Sequence, residues 1–176
     1  MKLLSLLLIL LFFSCHSMKK TNNNENNRPI ISNEQCPEDG VCTLNVLKLK
    51  TLNVKTDEFG NSYIEIVDGK NRLLAFEYKR NHIENTEDDN YQEFVYIELQ
   101  NTLENVTLEN SNLQDVKVTF VKLCYCKGQM GAYKVKNGKL QISKLEASTY
   151  HLELSFKVTE VSQIINSITR KFSIAN

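Results

Sequence analysis

Beyond residue 35 the chain is dominated by strict alternation of apolar and polar positions, and that pattern predicts strands. The clearest run is Thr149–Val158, where Tyr150, Leu152, Leu154, Phe156 and Val158 interleave with His151, Glu153, Ser155 and Lys157. Period two places each set on one face of a pleated strand, as a half-buried antiparallel strand requires. Val95, Ile97 and Leu99 alternate with Phe94 and Tyr96, so both faces of that run are apolar. Leu74, Phe76 and Tyr78 alternate with Leu73, Ala75, Glu77 and Lys79, and Val116, Val118 and Phe120 with Lys117 and Thr119. Tyr63–Val67 is short and apolar on both faces.

Turn chemistry punctuates these runs. Asp68-Gly69 and Asn137-Gly138 are dipeptides favoured in type I′ hairpin turns, whose central residues need positive φ. The second predicts a hairpin joining 132–136 to 139–143, and Glu58-Phe59-Gly60-Asn61 predicts another turn. Many short strands with turns between them read as an all-β fold, an antiparallel β-sandwich or a barrel-like relative of one. Val161, Ile164, Ile165 and Ile168 have helical spacing, which admits a short C-terminal helix before a strand around Phe172 and Ile174.

The N-terminus follows a different pattern. Lys2 precedes an apolar run from Leu3 to Phe13, about eleven residues against the ~20 that a bilayer span needs. This is the layout of an export signal. Ser14 and Cys15 close it, and here the chain resembles the lipobox of bacterial lipoproteins: apolar residues, a small residue, then cysteine. The resemblance implies cleavage before Cys15 and acylation, palmitate included, of its sulfur and new amino group. The other reading is an ordinary secretory signal cut after Ser17. Both export the chain, so disulfides are permitted.

Residues 16–35 are Asn-rich and nearly free of apolar side chains before Ile30. Such a segment cannot bury enough surface to order itself and is expected to be a flexible tether with ends roughly 25 Å apart. The expected organisation is therefore signal peptide 1–14, lipidated Cys15 and tether 15–35, and one β-sandwich domain 36–176. The lipobox and Asn run resemble small envelope lipoproteins of the Bacteroidota. Some of those carry an acidic cluster after the cysteine as a surface-export signal, whereas this chain has His16, Ser17, Met18, Lys19 and Lys20. That departure points to the outer membrane, facing the periplasm.

Formal charge is balanced, with 21 basic and 21 acidic residues, which argues against a strongly charged partner. The balance conceals two blocks. Every charge from Glu84 to Asp115 is acidic, and every charge from Lys117 to Lys144 is lysine. Pairing across neighbouring strands accounts for them; a dipolar binding surface is the alternative. The lysine block has no arginine and no regular aromatic interleaving, so nucleic acid is not an expected partner. The expected partners are the membrane, through the lipid, and an envelope protein. The Glu84–Glu93 stretch has the oxygen density of a calcium loop without its spacing or glycine, and reads as a solvated loop.

No catalytic set emerges. His16 falls in the tether, His82 in a loop and His151 on a polar strand face, and no nucleophile elbow, zinc helix or phosphate loop occurs. A carboxylate site among the many acids is the enzymatic alternative to a binding or structural module. No cofactor is expected. The chemistry-bearing residues are the cysteines left after Cys15: Cys36, Cys42, Cys124 and Cys126. An even number in an exported domain reads as a disulfide set. In a continuous strand Cys124 and Cys126 would have Cα atoms nearly 7 Å apart, at the limit for a bridge. That favours two inter-segment bridges, each joining one of them to Cys36 or Cys42, over two local ones. Each long bridge would stabilise by about 4–5 kcal/mol in the chain-entropy model. Metal or redox handling through the four sulfurs is the rival: zinc on four thiolates, or Cu(I) on Cys124, Cys126 and Met130. Neither the C-x5-C nor the C-x-C spacing is the usual zinc pattern.

Overall fold

The computed structural model describes residues 36–174. The expected signal peptide, Cys15 and the expected tether lie outside the described residues. Two antiparallel sheets make up the fold. The first holds β1 (Gly40–Thr56), β2 (Ser62–Arg80), β3 (Tyr91–Leu99), β5 (Thr119–Cys124) and β6 (Gly131–Lys134), in the order β1-β2-β3-β5-β6. The second holds β4 (Val106–Glu109), β7 (Gly138–Glu146), β8 (Thr149–Phe156) and β9 (Ser167–Ser173), in the order β4-β7-β8-β9. A 3-10 helix, Asn110–Val116, links β4 to β5 and buries Leu113. The expected all-β sandwich is the fold found.

The main core lies between the sheets and is built by the alternation read from sequence. Phe76, Tyr78, Val95, Ile97 and Phe120 from the first sheet meet Leu140, Leu152, Leu154, Phe156 and Phe172 from the second. Phe120 and Phe156 rings pack at 6.1 Å between centroids. A fully buried leucine or phenylalanine contributes about 1.5–3 kcal/mol, so this interface is the main source of stability.

Three local expectations are corrected. Asp68-Gly69 is not a turn: β2 runs straight through it, with Lys50 opposite Asp68. The register shifts there: Lys48 faces Arg72 and Lys50 faces Asp68, so Gly69, Lys70 and Asn71 of β2 stand against the single residue Leu49, whose φ is 53°. Such a bulge bends the strand that carries it. Gly69 serves close approach, since a Cβ there would lie 2.1 Å from Thr51 Oγ1. Asn137-Gly138 is not a hairpin turn either, because β6 and β7 belong to different sheets. Gly138 does have positive φ (148°), but it starts β7, where a Cβ would meet the Ser155 carbonyl at 2.2 Å. The Glu58–Asn61 turn is present; Asp57 Oδ1 accepts the Phe59 and Asn61 N–H groups at 2.9 and 2.8 Å.

The C-terminal helix is the third correction. Residues 157–166 form an irregular connection, and the Lys157, Ile164 and Ile165 amides bond outside it. Ile164 and Ile165 donate to the two oxygens of Glu93, both at 2.7 Å. The Gln163 side chain accepts from Val158 N–H at 2.5 Å and donates to the Ile165 carbonyl at 2.7 Å. The helical spacing of isoleucines reflects burial instead: Ile165 sits in the loop and Ile168 in β9, both in the main core. The strand carrying Phe172 is present as β9.

The cysteines pair locally, Cys36 with Cys42 and Cys124 with Cys126, so the favoured inter-segment pairing is overturned. The register explains why. Cys42 is opposite Tyr78, Tyr78 opposite Glu93, and Glu93 opposite Lys122. Two strands therefore separate β1 from β5, which puts the cysteine segments on the order of 14 Å apart at ~4.8 Å per strand. Nor are Cys124 and Cys126 in one continuous strand. β5 ends at Cys124 and the chain bends at Tyr125, bringing the Cα atoms to 5.2 Å.

Candidate functional site

The bulge at 69–71 of β2, opposite Leu49, has a consequence for the outer face of the first sheet. Residues 50–56 and 62–68, the distal half of the β1–β2 hairpin, bend over that face as a flap. Glu98 holds it there. Its carboxylate accepts the Leu52 N–H at 2.8 Å, Lys117 Nζ at 3.0 Å and Asn71 Nδ2 at 2.6 Å, and Lys117 also donates to the Leu52 carbonyl at 3.2 Å. Burial alone would push Glu98 up, but the Leu52 amide, Lys117 and Asn71 together hold it below the usual carboxylate range. Beneath the flap a second core forms from Leu52, Leu73, Tyr96, Val121 and Ala132.

The flap does not cover the whole face. Past its buried part an open groove of about 1020 Å³ remains between the flap tip and the 124–131 loop. Its floor is Phe94, Tyr96 and Val121, outward-facing residues of β3 and β5. One wall is Ser62, Tyr63 and Ile64; the other is Leu123, the Cys124–Cys126 disulfide and Met130. Phe94 and Tyr96 stack with ring centroids 6.0 Å apart. Burial, with the charge of Glu77 adding to it, pushes the Tyr96 phenol up to about 12. The walls nearly touch at one end, where a Cβ on Gly131 would lie 3.2 Å from the Ser62 carbonyl.

Large apolar side chains of the lining are exposed: Tyr125 is 75 % accessible, Met130 59 % and Tyr63 47 %. Contiguous exposed apolar surface of this kind marks an interaction site, while isolated exposed side chains do not. Aromatic residues and methionine are also the types enriched where proteins bind one another. The polar lining is sparse, and Asp57 is already engaged by the Phe59 and Asn61 amides.

The 124–131 loop is anchored without its disulfide. Gln129 N–H donates to the Cys126 carbonyl at 3.1 Å, and the Gln129 carbonyl accepts Tyr133 Oη at 3.1 Å. Gln129 Oε1 accepts Lys122 Nζ at 2.8 Å and Ser162 Oγ at 3.0 Å. The two bridges thus differ in setting. Cys42 is 2 % accessible and packs in the main core. Both members of the other bridge are half-buried and line the groove. Closing so short a loop restricts the unfolded chain little, on the order of 1–2 kcal/mol in the chain-entropy model.

The remaining candidates have structural partners. Glu93, fully buried on the inner face of β3, takes the Ile164 and Ile165 amides and the Tyr91 hydroxyl, the last at 2.5 Å. Lys122 stands opposite it and is held low, mainly by burial, while Glu93 acts in the other direction. Between the charge blocks Lys117 pairs with Glu98 at 3.0 Å and Lys139 with Glu109 at 2.9 Å. His82 Nδ1 lies 2.7 Å from Asp89, whose carboxylate also accepts the Ile83 amide, so this acid closes its own loop. His151 lies 4.0 Å from Glu153. Among the described residues no group of three or more His, Cys, Asp or Glu side chains is placed to hold a metal ion. Cys124, Cys126 and Met130 do share the groove wall, with the two cysteines as a disulfide rather than as thiolates.

Comparison with protein-family models, with curated proteins and with solved structures finds no match for this chain.

Proposed function

We propose that this chain is an exported, lipid-anchored envelope protein that acts as a binding module, and that its groove receives an apolar segment of a partner protein. The lipobox-like end at Cys15 supports the anchor, and the Asn-rich tether supports a domain held clear of the membrane. One observation carries the binding role: the groove beside the flap, floored by Phe94, Tyr96 and Val121 and ringed by exposed Tyr63, Tyr125 and Met130. The exposed rim spans two walls, so an extended segment can lie between them with side chains on the floor. Burying the three rim side chains in a complex would contribute several kcal/mol, at about 1.5–3 kcal/mol for each fully buried one.

Photo-crosslinking in cells tests this. A photoreactive phenylalanine analogue replaces Tyr125 in the full chain, with a control at Glu153 on the exposed face of β8. The expected result is a polypeptide adduct from position 125, none from 153, and at least a tenfold loss when Ile64→Asp is added. A lipid adduct at 125, equal adducts at both positions, or an adduct indifferent to Ile64→Asp would overturn the reading.

A further inference from the structure

We infer that the Cys124–Cys126 disulfide is a thiol-exchange site served by the groove, passing its oxidation to a cysteine-bearing apolar segment seated there. This rests on the binding role just proposed and names the chemistry of the partner. A disulfide in the wall of a binding groove reacts with one functional group among natural side chains, the thiolate. Three observations separate this bridge from a merely structural one. It lines the groove, whereas Cys36–Cys42 is tied into the core through Cys42. The loop that carries it is held by Gln129, through Lys122, Ser162, Tyr133 and the Cys126 carbonyl, so opening the bridge leaves the loop anchored. And Lys127, an exposed cation, follows Cys126 in the chain, whereas Lys122 is buried with its ammonium held by Gln129 and Ser162. Positive charge stabilises a thiolate leaving group, and accessible disulfides are the labile ones.

The step balances as an exchange with a partner dithiol. A partner thiolate, its proton given to solvent, attacks Cys126 Sγ. The new sulfur–sulfur bond forms as the Cys124–Cys126 bond breaks, and the electron pair leaves on Cys124 Sγ, which takes up a proton. The partner's second thiolate then attacks its own half of the mixed disulfide and releases Cys126 as a thiol. Two electrons and two protons have moved from the partner to this chain, which ends with two free thiols and the partner with a disulfide.

The test uses the full chain and two synthetic dithiol peptides, one with leucine and phenylalanine flanking its cysteines and one with serine and glutamine. The rate of peptide oxidation and the state of each cysteine pair, read by alkylation and mass spectrometry, are followed together. Oxidation of the apolar peptide is expected to be at least tenfold faster than that of the polar one. Ile64→Asp should abolish that preference, and Cys36–Cys42 should stay oxidised throughout. Cys124→Ser, which leaves Cys126 as a lone thiol, should form a stable mixed disulfide with a single-cysteine version of the apolar peptide supplied as its disulfide with a small thiol, which leaves as the free thiol, and should do so faster than with the polar counterpart. The inference is overturned if both bridges reduce together only as the protein unfolds, or if the two peptides react alike. A version of the apolar peptide with serine for cysteine separates the two ideas. If it binds in fluorescence anisotropy while exchange shows no preference, the groove stands and the exchange role falls; if it fails to bind as well, both fall.

Discussion

Glu93→Ala is expected to be among the most destabilising single changes in the domain, lowering the unfolding free energy by about 3–5 kcal/mol. The carboxylate ties β3 to the 157–166 connection through the Ile164 and Ile165 amides, and it also takes the Tyr91 hydroxyl. Alanine would leave two backbone donors and a phenol without their acceptor, at about 1–3 kcal/mol for each group left buried and unsatisfied. It would also remove the negative charge nearest Lys122, an amine on a side chain only 2 % accessible. Glu93→Gln keeps an acceptor in place and should cost clearly less. Urea unfolding of the two variants at neutral pH measures both values. A loss below 1 kcal/mol for alanine would mean that apolar packing of Ile165 and Ile168 alone holds that end of the sandwich.

Cys15→Ala is expected to move essentially all of the protein from the membrane fraction to the soluble one. Several acyl chains at ~0.8 kcal/mol per buried CH2 make a lasting anchor, whereas a single chain is marginal. Among the described residues no helix is long and apolar enough to cross a bilayer. The exposed rim of Tyr63, Tyr125 and Met130 is a competing route to membrane association among the described residues. Fractionation after a salt wash therefore distinguishes the two. Retention of Cys15→Ala on membranes, with release by a further Tyr125→Asp change, would assign the attachment to the groove rather than to the lipid.

How far the sequence carries the reader depends on what each pattern reports. Tyr150, Leu152, Leu154 and Phe156 alternate with polar residues because β8 has one face on the core, and that strand is legible directly. Phe94 and Tyr96 opposite Val95 and Ile97 showed that β3 is apolar on both faces, a sign that something covers its outer side. What covers it was not legible. The flap depends on a bulge at 69–71 of β2, opposite Leu49, and Asp68-Gly69, which marks its start, carries the composition of a turn. Reading a turn there divided β2 and hid the long hairpin. The 161–168 isoleucines misled for a related reason, since burial and helical spacing coincide and only the Glu93 contacts distinguish them. For the cysteines, residue types and compartment indicated disulfides, but the pairing followed from the strand order that sets β1 and β5 apart.

Hydrogen exchange of the full chain in the envelope fraction of cells that express it, compared with the same protein purified in detergent, tests the central claim most directly. Amides of the flap tip (57–62) and of the 125–131 loop lie on the two walls of the groove and include groups outside the sheet ladders. A partner segment seated between those walls is predicted to slow their exchange severalfold in the native envelope, while the turn between β7 and β8 exchanges equally in both. Equal exchange at the two walls, or slowing confined to the outer face of β7, β8 and β9, would contradict the assignment of the groove as the binding surface.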